Sequence, residues 1–252
     1  MTEFAYLLAA FFLPLFPFSM AINRIFPRLR GVVPRGALLL IWPQAGVAIV
    51  SLADGPIPHW ISLWAIATSL FYGFRVLALR EVNLWTSFLA TSAWALLWIL
   101  AQGGMSAVQV HLYALAISAP FILLSLLTAG LEQRFGAAYT GLYGGLAHNL
   151  PRFAGVLVFV VLAAVATPLF PAFFAMLATV LSTMPAMPAM AVAVAGVWLL
   201  WSWAGAQLLQ GLIVGPARTT DAPDLSLTAT WGYVVVLGAL LMSSLYFAGG
   251  LP

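Results

Sequence analysis

The 252 residues are 64% hydrophobic and only 6% charged, with a mean hydropathy of +1.08; soluble domains carry roughly a quarter charged residues, so the composition excludes a water-soluble domain and puts the chain in a bilayer. Nine arginines, no lysine and six acidic residues leave a net charge of +3, too sparse for the cationic stripe that binds nucleic acid. The absence of cysteine excludes disulfides, thiolate metal sites and a cysteine nucleophile.

A hydrocarbon core of about 30 Å takes about 20 apolar residues as helix. The first such window runs from Phe4 to Ile22. It is read as one span and not as a secretory leader, because Glu3 stands where a basic segment would and no small-x-small site precedes Arg24. Gly36 to Ala53, Trp60 to Leu79, Asn83 to Ala101 and Ala107 to Leu131 follow. The stretch from Phe153 to Met184 is too long for one crossing, and Pro168 and Pro171 interrupt it, which predicts two helices meeting there. Ala191 to Val214 and Tyr233 to Ala248 end the series.

The expectation is a single all-α integral membrane domain over 1–252, a polytopic transmembrane helical bundle. It has about nine spans, or eight if the Pro168 break is a kink within one crossing. Arginines fall on alternate loops, Arg24 to Arg35, Arg75 with Arg80, and Arg134 to Arg152. That alternation puts these loops in the cytoplasm and the N-terminus and the Asp54 to His59 loop outside, in a bacterial inner (cytoplasmic) membrane. Nine spans would strand Arg218 on the outer side, and eight would not.

Intramembrane charge costs about 2.5 to 3.5 kcal/mol per residue and so marks ion pathways. Arg75 lies near a helix end, with Glu81 as a local partner, and reads chiefly as an interfacial anchor. His111, with Gln109 two residues before it, is the candidate titratable group inside a span. Gln207 and Gln210 share one helical face and read as helix glue, with a water-lined path as the second reading. Glu132 and Arg134 open a cytoplasmic connection that contains His148 and closes at Gly144 to Arg152. No metal cluster, nucleophile–base pair or phosphate loop appears, so no catalytic residue and no cofactor is assigned. The tryptophans, Trp60, Trp85, Trp98 and Trp231 among them, read as interfacial belts or packing.

Leu70-Phe71-Tyr72-Gly73-Phe74-Arg75 with Arg80-Glu81-Val82, then Leu131-Glu132-Gln133-Arg134, then Tyr143-Gly144-Gly145-Leu146-Ala147 with Leu150-Pro151, occur in the order of landmarks in a known family. Ala166-Thr167-Pro168, Gly215-Pro216, Asp224-Leu225-Ser226-Leu227 and Gly250-Leu251-Pro252 continue the series. The chain resembles the antiporter-like membrane subunits of complex I and the Mrp sodium/proton antiporters. Residues 60–252 resemble the second half of a full-length member and 1–59 its first helices. The departures are informative: Asn83 stands about where the family keeps a lysine, Ile117 near its expected histidine, and Met176 near its glutamate. Between Ala191 and Val214 only Gln207 and Gln210 offer polarity. The resemblance therefore implies a reduced, half-length member without the proton-carrying residues.

A proton wire needs groups that gain and lose charge along a hydrated axis. The leading expectation is a non-catalytic subunit docked on a larger antiporter-like subunit in a proton- or cation-coupled complex with a soluble coupled module. Complex I-like, Mrp-like and inorganic carbon uptake assemblies all fit. Small residues at Ala90, Ser92 and Ala93, and at Ala193, Gly196 and Ala204, would face partners. The alternative is an independent ion or small-solute transporter with a path lined by Gln44, Gln109, His111, Gln207 and Gln210. A membrane enzyme, or a subunit lending aromatic groups to a quinone pocket, is the third.

Overall fold

The computed structural model describes residues 2–53, 55–141, 144–215 and 222–249. Asp54, Tyr143, Arg218, Asp221 and the closing Gly250-Leu251-Pro252 lie outside them. Among the described residues the chain forms only helices and loops: α1 (Thr2–Phe12), α2 (Ser19–Ile25), a 3-10 turn at Phe26–Arg28, α3 (Val32–Leu52), α4 (His59–Val76), α5 (Val82–Ala95), α6 (Leu97–Gln102), α7 (Ala107–Phe135), α8 (Leu146–Asn149), α9 (Pro151–Ala164), α10 (Pro171–Thr183), α11 (Pro188–Ile213) and α12 (Leu227–Gly249). Among the described residues five helical stretches are long and apolar enough to cross a membrane: α3, α5 with α6, α7, α11 and α12.

The bundle has a basic end and a neutral end. At the basic end Arg35 meets Glu132, Thr140 N–H meets the Arg80 carbonyl, and Asp224 accepts from the Arg152 and Phe153 N–H groups, capping α9 from across the sequence. At the neutral end Tyr6 reaches the Gly55 carbonyl and Gln102 the Ile57 carbonyl, while Gly103 packs on Ser182. α9 and α10 have 14 and 13 residues. At 1.5 Å per residue each spans about 20 Å, short of the hydrocarbon core. α9 starts at the basic end and α10 finishes at the neutral end, so together they make one interrupted crossing. The described helices thus run end to end eight times, the smaller of the two expected counts.

The expected continuous span from Phe4 to Ile22 is also interrupted, between α1 and α2. Pro14-Leu15-Phe16-Pro17 lies in this break, and the same tetrapeptide, Pro168-Leu169-Phe170-Pro171, lies in the second. The two breaks are traversed in opposite directions, α1 to α2 toward the basic end and α9 to α10 toward the neutral end. Proline supplies no N–H, so it frees carbonyls that hydrocarbon cannot satisfy.

At the first break Leu15 N–H turns back to the Ala10 carbonyl, which frees Phe11 O, and Met20 N–H goes to Pro17 O, which frees Phe16 O. Leu13 O would have received the missing Pro17 N–H. Three indoles from three helices replace those donors: Trp42 to Phe11 O at 3.2 Å, Trp98 to Leu13 O at 3.0 Å and Trp64 to Phe16 O at 2.6 Å. Phe16 N–H itself donates to Thr68 Oγ1. At the second break Trp198 donates to Ala166 O at 3.0 Å and Ser244 Oγ to Leu169 O at 2.9 Å.

Each break also leans on a glycine of the next long helix. A Cβ on Gly46 would fall 2.6 Å from Leu13 Cγ and 2.8 Å from its backbone N; one on Gly205 would fall 2.8 Å from Val165 Cγ1. Trp98 is therefore a buried staple and not a belt residue, and Trp85 is buried too, whereas Trp60 and Trp231 are exposed as a belt requires. Ala90, Ser92, Ala93 and Ala204 are buried inside the bundle and do not face outward.

Candidate functional site

α5 is buried almost all round, and it carries the interior polarity: Asn83, Thr86, Ser87, Thr91 and Ser92. Most of these hydroxyls are committed to carbonyls. Thr86 donates to Val82 O at 2.7 Å; Thr91 Oγ1 lies 2.8 Å from Ser87 O and 3.1 Å from Asn23 Oδ1; Ser92 Oγ donates to Ser69 O at 2.7 Å and accepts from the Trp201 indole at 2.9 Å. Asn23 continues to Ser19 O, and Ser19 Oγ donates to the Tyr72 hydroxyl. The arrangement glues α2, α4, α5 and α11 together. Ile117 and Met176, at the places where the family resemblance leads one to expect a histidine and a glutamate, are buried apolar core.

Charge gathers at the basic end. Arg35, in the first turn of α3, is only 5% exposed, and its guanidinium clasps Glu132 of α7 through Nη1–Oε2 at 2.9 Å and Nη2–Oε1 at 3.4 Å. Its Nε donates to Leu29 O. Asn83 Nδ2 donates to Glu132 Oε1, and Asn83 Oδ1 is buried with no partner. Glu81, the residue before α5, adjoins the group. Burial pushes its carboxyl above the ordinary value of 4.5, and the Glu132 carboxylate pushes the same way; Arg35 and the Asn83 amide oppose this and do not prevail.

The remaining candidates do not converge on this cluster. Arg75 does not pair with Glu81; its guanidinium lies over the Phe71 and Phe88 rings at 5.7 and 5.9 Å, which suits an exposed cation at an interface. Glu132 and Arg134 sit on the last turn of α7; Arg134 donates to Pro223 O and Gly130 O and covers Phe153. His148 is exposed on the short α8.

His111 does not join Gln109, which closes the capping box with Ser106. It faces Gln44 of α3, Nδ1 against Oε1, and Gln44 Nε2 returns a bond to the His111 carbonyl. Gln207, with its amide turned to satisfy both ends, donates to Leu77 O and accepts from Trp203 Nε1. Gln210 is exposed one turn further on. Gln102 was not singled out by the sequence, yet it binds Ser62, Ile57 O and His59 at the neutral end. Among the described residues no three His, Asp or Glu side chains are placed to hold a metal ion.

These features define a multi-pass membrane bundle built around two interrupted helices. Its fold is shared with chains of three solved membrane complexes. The chain superposes over 99% of its length on a chain of respiratory complex I from Thermus thermophilus (TM-score 0.85, 21% identity, 56% of that chain). It also matches a chain of the Mrp complex from a Dietzia species over 99% of its length (0.78, 16% identity, 57% of that chain) and one of the archaeal membrane-bound sulfane sulfur reductase over 96% (0.81, 14% identity, 52% of that chain). It spans about half the length of each. No family model and no curated protein matches the sequence.

Proposed function

We propose that the chain is a non-catalytic, antiporter-like membrane subunit that docks on a larger membrane partner in a proton- or cation-coupled complex with a soluble module. One observation carries this reading: the polar row along α5 is made of hydroxyls and amides that mostly bond to protein groups. Moving a proton along such a row needs groups whose charge changes near neutral pH. The fold it shares with chains of respiratory and Mrp complexes supports a place in a similar assembly. The Arg35–Glu132 clasp then serves as an internal brace of the basic end.

Affinity purification in mild detergent, followed by reconstitution with a pH-sensitive dye, tests this. The expected result is co-purification of a larger membrane protein, proton or cation flux from the complex, and none from the isolated chain. Flux carried by the isolated chain overturns the proposal. The Gln44–His111 contact favours a second reading, an independent transporter, and that reading requires His111→Ala to change the flux of the isolated chain while its helical content stays intact.

A further inference from the structure

A lateral groove of about 200 Å³ runs beside α4, lined by Phe16, Trp64, Ala67, Thr68 and Phe71. The four α4 residues share one helical face, being one turn apart in succession, and Phe16 of the first break supplies the other wall. That wall is fixed to α4. Phe16 N–H donates to Thr68 Oγ1, the Trp64 indole donates to Phe16 O, and the Phe16 and Phe71 rings meet with centroids 5.5 Å apart. Ala67 is exposed, and its small side chain keeps the groove open between Trp64 and Phe71.

The same face of α4 ends in a cation. Arg75 follows Phe71 by one turn, on the last turn of α4, and its guanidinium lies over the Phe71 ring at 5.7 Å and the Phe88 ring at 5.9 Å. Arg75 is exposed, and among the described residues its guanidinium makes no ion pair and no hydrogen bond. At 1.5 Å per residue Phe71 lies about 6 Å and Trp64 about 16 Å below Arg75. One leaflet of the hydrocarbon core is about 15 Å deep. The groove thus covers the depth of one acyl chain, and the cation stands where that chain meets its headgroup at the basic end.

We infer that the groove seats one acyl chain of an anionic phospholipid and that the Arg75 guanidinium holds the phosphate of the same molecule. The planar donors of arginine match phosphate oxygens, and the ring contacts leave the guanidinium edge to make those bonds. A preformed groove spares the cost of ordering its walls on binding. Inorganic phosphate would answer the charge and leave the groove unfilled.

The test uses the full chain purified in mild detergent, with bound lipid counted by native mass spectrometry during titration with phosphatidylglycerol, phosphatidylcholine or inorganic phosphate. One arginine near the surface favours anionic lipid by about fivefold. The parent is expected to prefer phosphatidylglycerol over phosphatidylcholine by about that factor, and Arg75→Gln to lose the preference. Ala67→Phe fills the groove and is expected to lose retention of both phospholipids. Phosphatidylglycerol with a diazirine in its acyl chain is expected to label Phe16 or the segment 64–71 in the parent and not in Ala67→Phe. Both substituted positions are exposed, and thermal midpoints without added lipid are expected to match the parent, which separates lost binding from lost folding. Unchanged lipid preference in Arg75→Gln overturns the proposal, as does labelling that Ala67→Phe leaves intact or inorganic phosphate binding as tightly as phosphatidylglycerol. A photoreactive residue in place of Ala67 that, in native membranes, captures a protein and no lipid overturns it too.

Discussion

The two interrupted crossings share a tetrapeptide and differ in how they are held. The first is pinned by indoles from α3, α4 and α6 and a threonine from α4, and Gly46 brings the Leu13 backbone against α3. The second has one indole and one serine, a buried Thr167 hydroxyl without a partner, and Ala166 in the left-handed region at φ 59°. One sequence element thus gives two degrees of restraint, set by the neighbours and not by the prolines. Freed carbonyls create the demand, and tertiary donors decide how fully it is met.

The contrast can be broken at the glycines first. Overpacking costs about 1 to 3 kcal/mol, and Gly46→Ala is expected near the top of that range because its Cβ meets backbone. Gly205→Ala is expected lower in it, since its Cβ meets side-chain methyls of Val165 and Val161 and no backbone atom. Equal losses in denaturant or thermal unfolding in detergent would mean that the first break is no tighter than the second.

Next are the staples. Trp98→Phe strands the buried Leu13 carbonyl and is expected to cost about 2 kcal/mol; Trp198→Phe, at a half-buried ring, is expected to cost about 1 kcal/mol. A reversed order would show that water reaches the first break more readily than the second. Ala166→Gly relieves the left-handed strain and is expected to stabilise by about 1 kcal/mol; a loss of stability would place the methyl group in an essential contact.

The smallest effect separates both breaks from the basic end. Because the Glu81 carboxyl titrates above its ordinary value, the folded state favours its neutral form, and that advantage is fully present below 4.5 and lost as pH rises through the raised value. Glu81→Gln is therefore expected to raise the thermal midpoint slightly at neutral pH and to leave it unchanged below 4.5. The tryptophan variants are expected to show no such dependence. A Glu81→Gln gain that persists in acid would sink the assignment.

The architecture was legible where hydropathy and proline act within a few residues. The Pro168 break showed because Thr167 and two prolines interrupt a stretch too long for one crossing. The first break, with the same four residues, lay inside a window of ordinary span length and read as continuous. Long-range partners left no local trace. Gln44 and His111 were each visible as polar residues in apolar stretches, but their pairing across 67 positions was not. Arg35 read as a loop charge because Glu132, 97 positions away, gives no signal beside it. The indole staples were hidden for the same reason: their acceptors are backbone carbonyls, which every residue has.

The staples also make the molecule its own optical probe. Trp42, Trp64 and Trp98 report on one interruption and Trp198 on the other. An indole that loses its acceptor shifts its vibrational bands and exchanges its N–H for deuterium. Ultraviolet resonance Raman difference spectra between the parent and each one-at-a-time Trp→Phe variant can therefore follow each interrupted crossing without an attached label, in detergent, in vesicles or beside whatever protein this chain adjoins.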